Sequence, residues 1–512
     1  MNQPAPCNQE RISGLLLHPT SLPGRFGIGE LGPPAFRFVD FLAVAGQRCW
    51  QILPLGPAGY GDSPYQCFSS MAGNPLLISL YNLAEEGWLD RAWLEQPPVF
   101  SDTEVNYGQV IAYKSHLLKM AADAFFRRAT IAERSEFEAF CDEKRSWLPD
   151  FAEFMARKEA NGSGAWTEWQ PCAQPHETAV QSYLFMQYQF FQQWRALKTY
   201  CAGKGIEIIG DIPIFAAHDS ADVWSHPEFF DLKADGRPRK IAGVPPDYFS
   251  ATGQCWGNPL YRWDVMADTG YSWWIDRVRA TLEMVDWIRL DHFRGFDQYY
   301  EIHGGATTAV HGQWRQGPGD AFFAALKSAL GRLPLIAEDL GVITPEVEAL
   351  RNRWGFPGMR ILQFAFGQDP QADSFKPHNH ARNCVVYTGT HDNDTVVGWF
   401  TGAGTEDSTR TPADVKAERL LALRYLGSDG RAIHWDFIRA AMASVADRAI
   451  IPLQDLLGLG AEARMNLPGR SGHFWRWRCE ERLLTDRLAE QLRQLTALYG
   501  RCPPIQDSGG KR

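Results

Sequence analysis

Short apolar runs alternate with amphipathic stretches along most of the chain, and the two periods predict different elements. Eight runs read as buried strands: 12–19, 49–55, 207–215, 285–290, 333–341, 359–366, 384–388 and 449–457. Between them the 3.6-residue pattern predicts helices, most clearly over 34–46, 178–199, 272–284, 320–330 and 479–499. Buried strands separated by helices predict an α/β chain folded as a (β/α)8 TIM barrel, with large, mainly helical insertions and ordered loop subdomains. Right-handed crossovers then place all the C-terminal strand ends on one rim. A single catalytic barrel domain spanning 1–512 follows.

Two stretches break the alternation. Between the second and third strands, residues 57–205 begin with a Gly/Pro/Ser-rich loop and continue in helical patterns, far longer than a crossover needs; they read as an insertion. Residues 216–271 after the third strand are rich in Pro, Gly, Tyr and Trp and predict an ordered, lid-like loop. The tail 503–512 reads as disordered.

Composition narrows the function classes. The 512 residues carry 51 Lys and Arg against 60 Asp and Glu, a net charge of −9, with no basic block to track a phosphate backbone; nucleic acid is not an expected partner. The start, MNQPAPCNQE, lacks the basic and apolar regions of a signal peptide, and no apolar run approaches a membrane span. A soluble, cytoplasmic protein with no membrane partner is expected. Its ten cysteines form no C-x-x-C pair, so reduced thiols are the default. The 19 Trp supply either stacking platforms for sugar faces or a large aromatic core.

Candidate chemistry gathers where strands end. In VDWIRLDHFRGF (285–296) an apolar run gives way to Arg289, Asp291, His292 and Arg294. Arg289 and Asp291, two apart, share a face, so the cation is placed to hold the carboxylate ionised. The same pairing would also serve a purely structural ion pair. The fifth strand ends in Glu338 and Asp339, which face opposite sides; pattern alone does not choose between them. The seventh runs into GTHDNDT, where His391, Asp392 and Asp394 suggest either a metal site or hydrogen bonds to a polyhydroxylated ligand; no metal motif is present. Asp211 interrupts the apolar run of the third strand, a costly position unless it is bonded. Tyr60, between two glycines, is a possible stacking platform or a ring packed on its own loop, and Trp256 is either part of a lid or an anchor. Carboxylates at matching heights on strands four and five would sit about 5 to 5.5 Å apart, the spacing of retaining glycosidic chemistry.

The motifs GYGDSPYQ, GDIPIF, VPPDYFS, WGNPLY, IRLDHFRGF, AEDLG, GFPGMRILQFAFG, YTGTHDNDT and RMNLPG occur in that order over nearly the whole chain. In this the chain resembles the amylomaltases, the bacterial 4-α-glucanotransferases. The resemblance implies Asp291 as nucleophile, Glu338 as acid/base and Asp392 as transition-state stabiliser. It further implies Tyr60, Asp211, Arg289 and His391 in the donor site, and Trp256 and Asn466 as glucan contacts. It also implies no metal or organic cofactor, and α-1,4-glucans, including maltooligosaccharides and starch or glycogen chains, with glucose, as partners.

Overall fold

The computed structural model describes residues 11–170, 175–246, 252–402, 411–470 and 472–502. The tail 503–512, the start of the chain and part of the VPPDYFS segment lie outside the described residues. The described residues form twelve strands, numbered in chain order: β1 (Ile12–Leu16), β2 (Cys49–Gln51), β3 (Glu207–Pro213), β4 (Lys240–Val244), β5 (Gln254–Pro259), β6 (Trp287–Asp291), β7 (Gln298–His303), β8 (Gly312–Gln316), β9 (Leu335–Ala337), β10 (Gly358–Ile361), β11 (Cys384–Tyr387) and β12 (Arg448–Pro452).

Eight of these make one sheet in the order β10-β11-β12-β1-β2-β3-β6-β9, with parallel pairing throughout. The Ala337 N–H donates to Pro357 O at 2.9 Å and brings β9 against β10, so the sheet closes on itself as a (β/α)8 barrel. All eight predicted strands are present, but most end early. The regular ladder of β9 stops at Ala337, β10 turns into a 3-10 helix (Leu362–Phe366), and β12 runs into a short helix (Leu453–Leu456). At the rim the chain leaves the ladder to present side chains to the mouth, which an apolar pattern does not register. In β1, Gly14 is required by close approach: a Cβ there would lie 2.2 Å from Cys49 O on β2.

Between β2 and β3 the chain builds helices Leu80–Glu85, Tyr107–Arg128, Ile131–Glu143, Leu148–Ala160 and Glu177–Gly203. Local chemistry sets their starts: Thr130 and Glu133 form a reciprocal capping box, and Asn106 caps Tyr107–Arg128. The last helix returns to the barrel. Its buried Gln187 both donates to and accepts from the Gly73 backbone at 2.8 Å, and Trp194 Nε1 donates to Met284 O at 2.9 Å. These two polar side chains on a buried helix face are thereby satisfied.

A second sheet stands at the C-terminal rim, antiparallel in the order β5-β4-β7-β8. It joins the stretch read as an ordered loop to residues after β6 for which no strand was expected. Isolated bridges and the helices Ala221–Ser225 and Trp263–Asp268 complete this region. β6 therefore carries the rim sheet immediately beyond its catalytic-looking end.

Candidate active site

The mouth of the barrel is organised by Arg289. Its position on β6 is opposite Asp211 on β3, and its side chain is buried. Nη1 donates to Asp211 Oδ2 at 2.7 Å and pairs with Asp291 Oδ1 at 2.9 Å, while Nε points at Met359 Sδ, 3.4 Å away. The lone aspartate of β3 is thus bonded, as its burial demands. Tyr65 donates its hydroxyl to the same Asp211 oxygen at 2.7 Å, while Asp211 Oδ1 is buried with no protein partner. Burial pushes Asp211 up to about 7, against the opposing pull of Arg289.

Asp291 and Glu338 stand side by side. Leu290 pairs with Ala337, and the next step of the ladder continues through Glu338 N–H to Leu290 O and Phe293 N–H to Glu338 O, both 3.1 Å. Glu338 Oε2 accepts from the backbone N–H of His292 at 2.7 Å, and Oε1 from that of Leu340 at 3.0 Å. Asp339 turns the other way, accepting the Met359 N–H at 2.6 Å and pairing with Arg351 and Arg360. Buried and held by these cations, Asp339 points away from the mouth, while Glu338 stands beside Asp291.

Burial, partly offset by Arg289 and reinforced by Asp291, pushes Glu338 up to about 8. Asp291 is also raised by burial, with Arg289 pulling down. The guanidinium therefore opposes a shift that it does not reverse. Asp291, with a 2.9 Å cation and a side chain 27% exposed, is the member of the pair that surrenders its proton first.

From β11 come His391 and Asp392. His391 is buried and stacked on Tyr65, with ring centroids 5.2 Å apart and 17° between planes; Trp475 packs against both, 5.8 Å from His391 and 5.7 Å from Tyr65. Burial lowers its pKa, so the ring is neutral, and Nδ1 is buried with no protein partner. Its Nε2 lies 3.4 Å from Asp392 Oδ2. Asp392 is held from the opposite side by Asn466, whose Nδ2 donates to Oδ1 at 2.6 Å. Arg464 ties both residues, donating to Asp392 O at 2.9 Å and Asn466 O at 2.6 Å. Asp394 instead accepts the N–H of Thr395 at 2.8 Å, at the start of helix Val396–Thr401. Among the described residues no group of three or more His, Cys, Asp and Glu side chains is arranged to hold a metal.

Trp256, on β5, meets the His292 ring edge-on at 4.9 Å and lies 6.5 Å from Phe215, so the rim sheet touches the residue that follows Asp291. Tyr60 differs: it is 78% exposed on a 3-10 turn (Tyr60–Asp62). Tyr65, five residues on in the same motif, is the tyrosine that reaches Asp211. Sequence reasoning passed over it, along with Arg464 and Trp475. The available signal for Tyr65 was Pro64 before it, a rigid turn at which the loop redirects the next side chain.

Comparison with known proteins bears on what this mouth belongs to. The family described as 4-alpha-glucanotransferase matches residues 17–485. The 4-alpha-glucanotransferase of Synechocystis sp. is 50% identical over 508 residues, covering 96% of this chain and 98% of the relative. That of Thermus thermophilus is 49% identical, covering 91% and 94%. The solved structure of the amylomaltase from Streptococcus agalactiae in complex with acarbose superposes with a TM-score of 0.90 at 38% identity, covering 96% of this chain and all of that one. On matches of this extent, the chain belongs to the 4-alpha-glucanotransferase family.

Proposed function

We propose that the protein is a retaining 4-α-glucanotransferase that moves α-1,4-glucan segments from a maltooligosaccharide or starch-type donor to the 4-hydroxyl of glucose or another glucan. The observation that carries this is the pairing of Asp291, beside a buried guanidinium, with Glu338, whose proton is retained to about pH 8. In the first step an Asp291 oxygen bonds to the anomeric carbon of the donor as the glycosidic bond breaks, and Glu338 delivers its proton to the departing oxygen. In the second, Glu338 takes the proton of the acceptor 4-hydroxyl, whose oxygen bonds to the same carbon and frees Asp291.

Around this pair the remaining groups hold the sugar. Asp392, positioned by Asn466, and the neutral His391 accept and donate to ring hydroxyls as the ring flattens toward an oxocarbenium ion. The Tyr65 ring, backed by His391, offers an apolar face, and Asp211 Oδ1 offers a free acceptor. Trp256 on the rim sheet is a contact for further glucose units, and Tyr60 a more distant one. The scheme draws on no metal or organic cofactor. The reading places the enzyme in the cytoplasm, and the thiol state of the eight described cysteines, all unpaired, agrees with a reducing compartment.

A retaining α-glucan hydrolase would use the same carboxylates, with water as acceptor. Products distinguish the two. Incubation with maltotriose is expected to give glucose and a ladder of chains longer than the substrate; glucose and maltose with no longer chain would overturn the transferase assignment.

A further inference from the structure

His292 follows the nucleophile and has no part in the chemistry above, yet its placement is unusual in three ways. Its backbone is left-handed, φ 54° and ψ 50°, a conformation that a non-glycine residue holds only where its surroundings impose it. That turn directs its N–H at Glu338 Oε2. Its ring is confined: the edge-on contact with Trp256 lies on one side, and Gly295 packs so closely that a Cβ there would come within 3.1 Å of the imidazole. Burial holds the imidazole pKa near 3, so the ring itself neither gives nor takes a proton in the working range.

We propose that His292 is a positioning residue for Glu338, its left-handed turn aiming a backbone N–H at the carboxylate and its ring coupling that turn to Trp256 on the rim sheet. This rests on the assignment of Glu338 as the acid/base. An N–H donated to the carboxylate favours its ionised form, so the bond sets how readily the acid yields its proton. The other groups facing Glu338 are Arg289 and Asp291 on β6 and Asp339 beside it, none of which touches the rim sheet through a hydrogen bond given above. The contact of Trp256 with the His292 ring gives β5 a route to the acid through one ring and one peptide.

The test is the pH profile of kcat/KM with maltotriose. His292→Ala removes the ring and penalises the turn; its basic limb is expected to move up by about one pH unit, the worth of one hydrogen bond to a charged group. Trp256→Ala should move the limb the same way, and the double variant no further than His292→Ala alone. His292→Asn, which tolerates the left-handed turn but lacks the ring, is expected to shift the limb by less and serves if the alanine variant does not fold. A limb unmoved in both His292 variants, or unmoved in Trp256→Ala, would overturn the coupling. Glu338→Gln assayed with α-maltosyl fluoride, whose leaving group needs no proton, should lose the basic limb altogether. Persistence of the limb there would instead overturn the assignment of Glu338, whatever the His292 variants do.

Discussion

At the scale of single residues, three carboxylates share one guanidinium, and the order in which they hold protons defines the chemistry. Because Glu338 must be protonated to assist departure, kcat/KM is expected to fall as pH rises past about 8; a rate that stays flat to pH 10 would contradict the assignment. Asp291→Asn should lower kcat by on the order of 10⁴-fold or more while glucan affinity, measured by calorimetry, changes little. Arg289→Ala is expected to damage both catalysis and folding. It leaves Asp211 and Asp291 buried without their cation, so activity and urea midpoint should drop together. Legibility at this scale was uneven. Asp291, Arg289 and Asp211 were visible because charge in an apolar strand needs a reason. Glu338 and Asp339 were not separable, since the difference lies in Arg351 and Arg360, brought in from other parts of the fold. Tyr65 was passed over because a loop without periodicity gives no direction to its side chains.

At the scale of elements, the strand signals located every barrel strand, and the amphipathic periods located several of the helices that separate them, though not Pro345–Trp354. The rim sheet was not legible. β8, GQWRQ, is mostly exposed, and β7, QYYEIH, buries only Tyr300 and Ile302, an alternation too short to stand out as a strand. β7 takes as its partner β4, far back along the chain, and β8 is held by β7. The loop after β12 supplies another cross-element device, the Asn466 bond to Asp392. Asn466→Ala is expected to reduce kcat about ten- to a hundredfold with little change in thermal stability, the worth of one hydrogen bond to a charged group. An equal fall in stability and no change in kcat would assign Asn466 to folding alone.

For the whole molecule, a mouth lined by raised carboxyls links stability to pH. Glu338 and Asp211, with folded-state values of about 8 and about 7, bind protons in the native chain that the unfolded chain has released above about pH 4. Their contribution is present below the unfolded value and is lost as pH rises through 7 and 8. Glu338→Gln removes that titration, so the gap between its urea midpoint and that of the wild type should widen in the variant's favour from pH 5.5 to pH 8.5. A constant gap would mean that Glu338 is not raised. The barrel thus sacrifices some stability at its mouth to keep one carboxyl protonated beside another that ionises.

The direct test of this account is to trap the covalent intermediate. Glu338→Gln treated with α-maltotriosyl fluoride, without acceptor, should accumulate a protein heavier by one maltotriosyl unit, and peptide mapping should place the unit on Asp291. An unmodified protein after fluoride release, or a unit carried by Asp392 or Asp211, would contradict it.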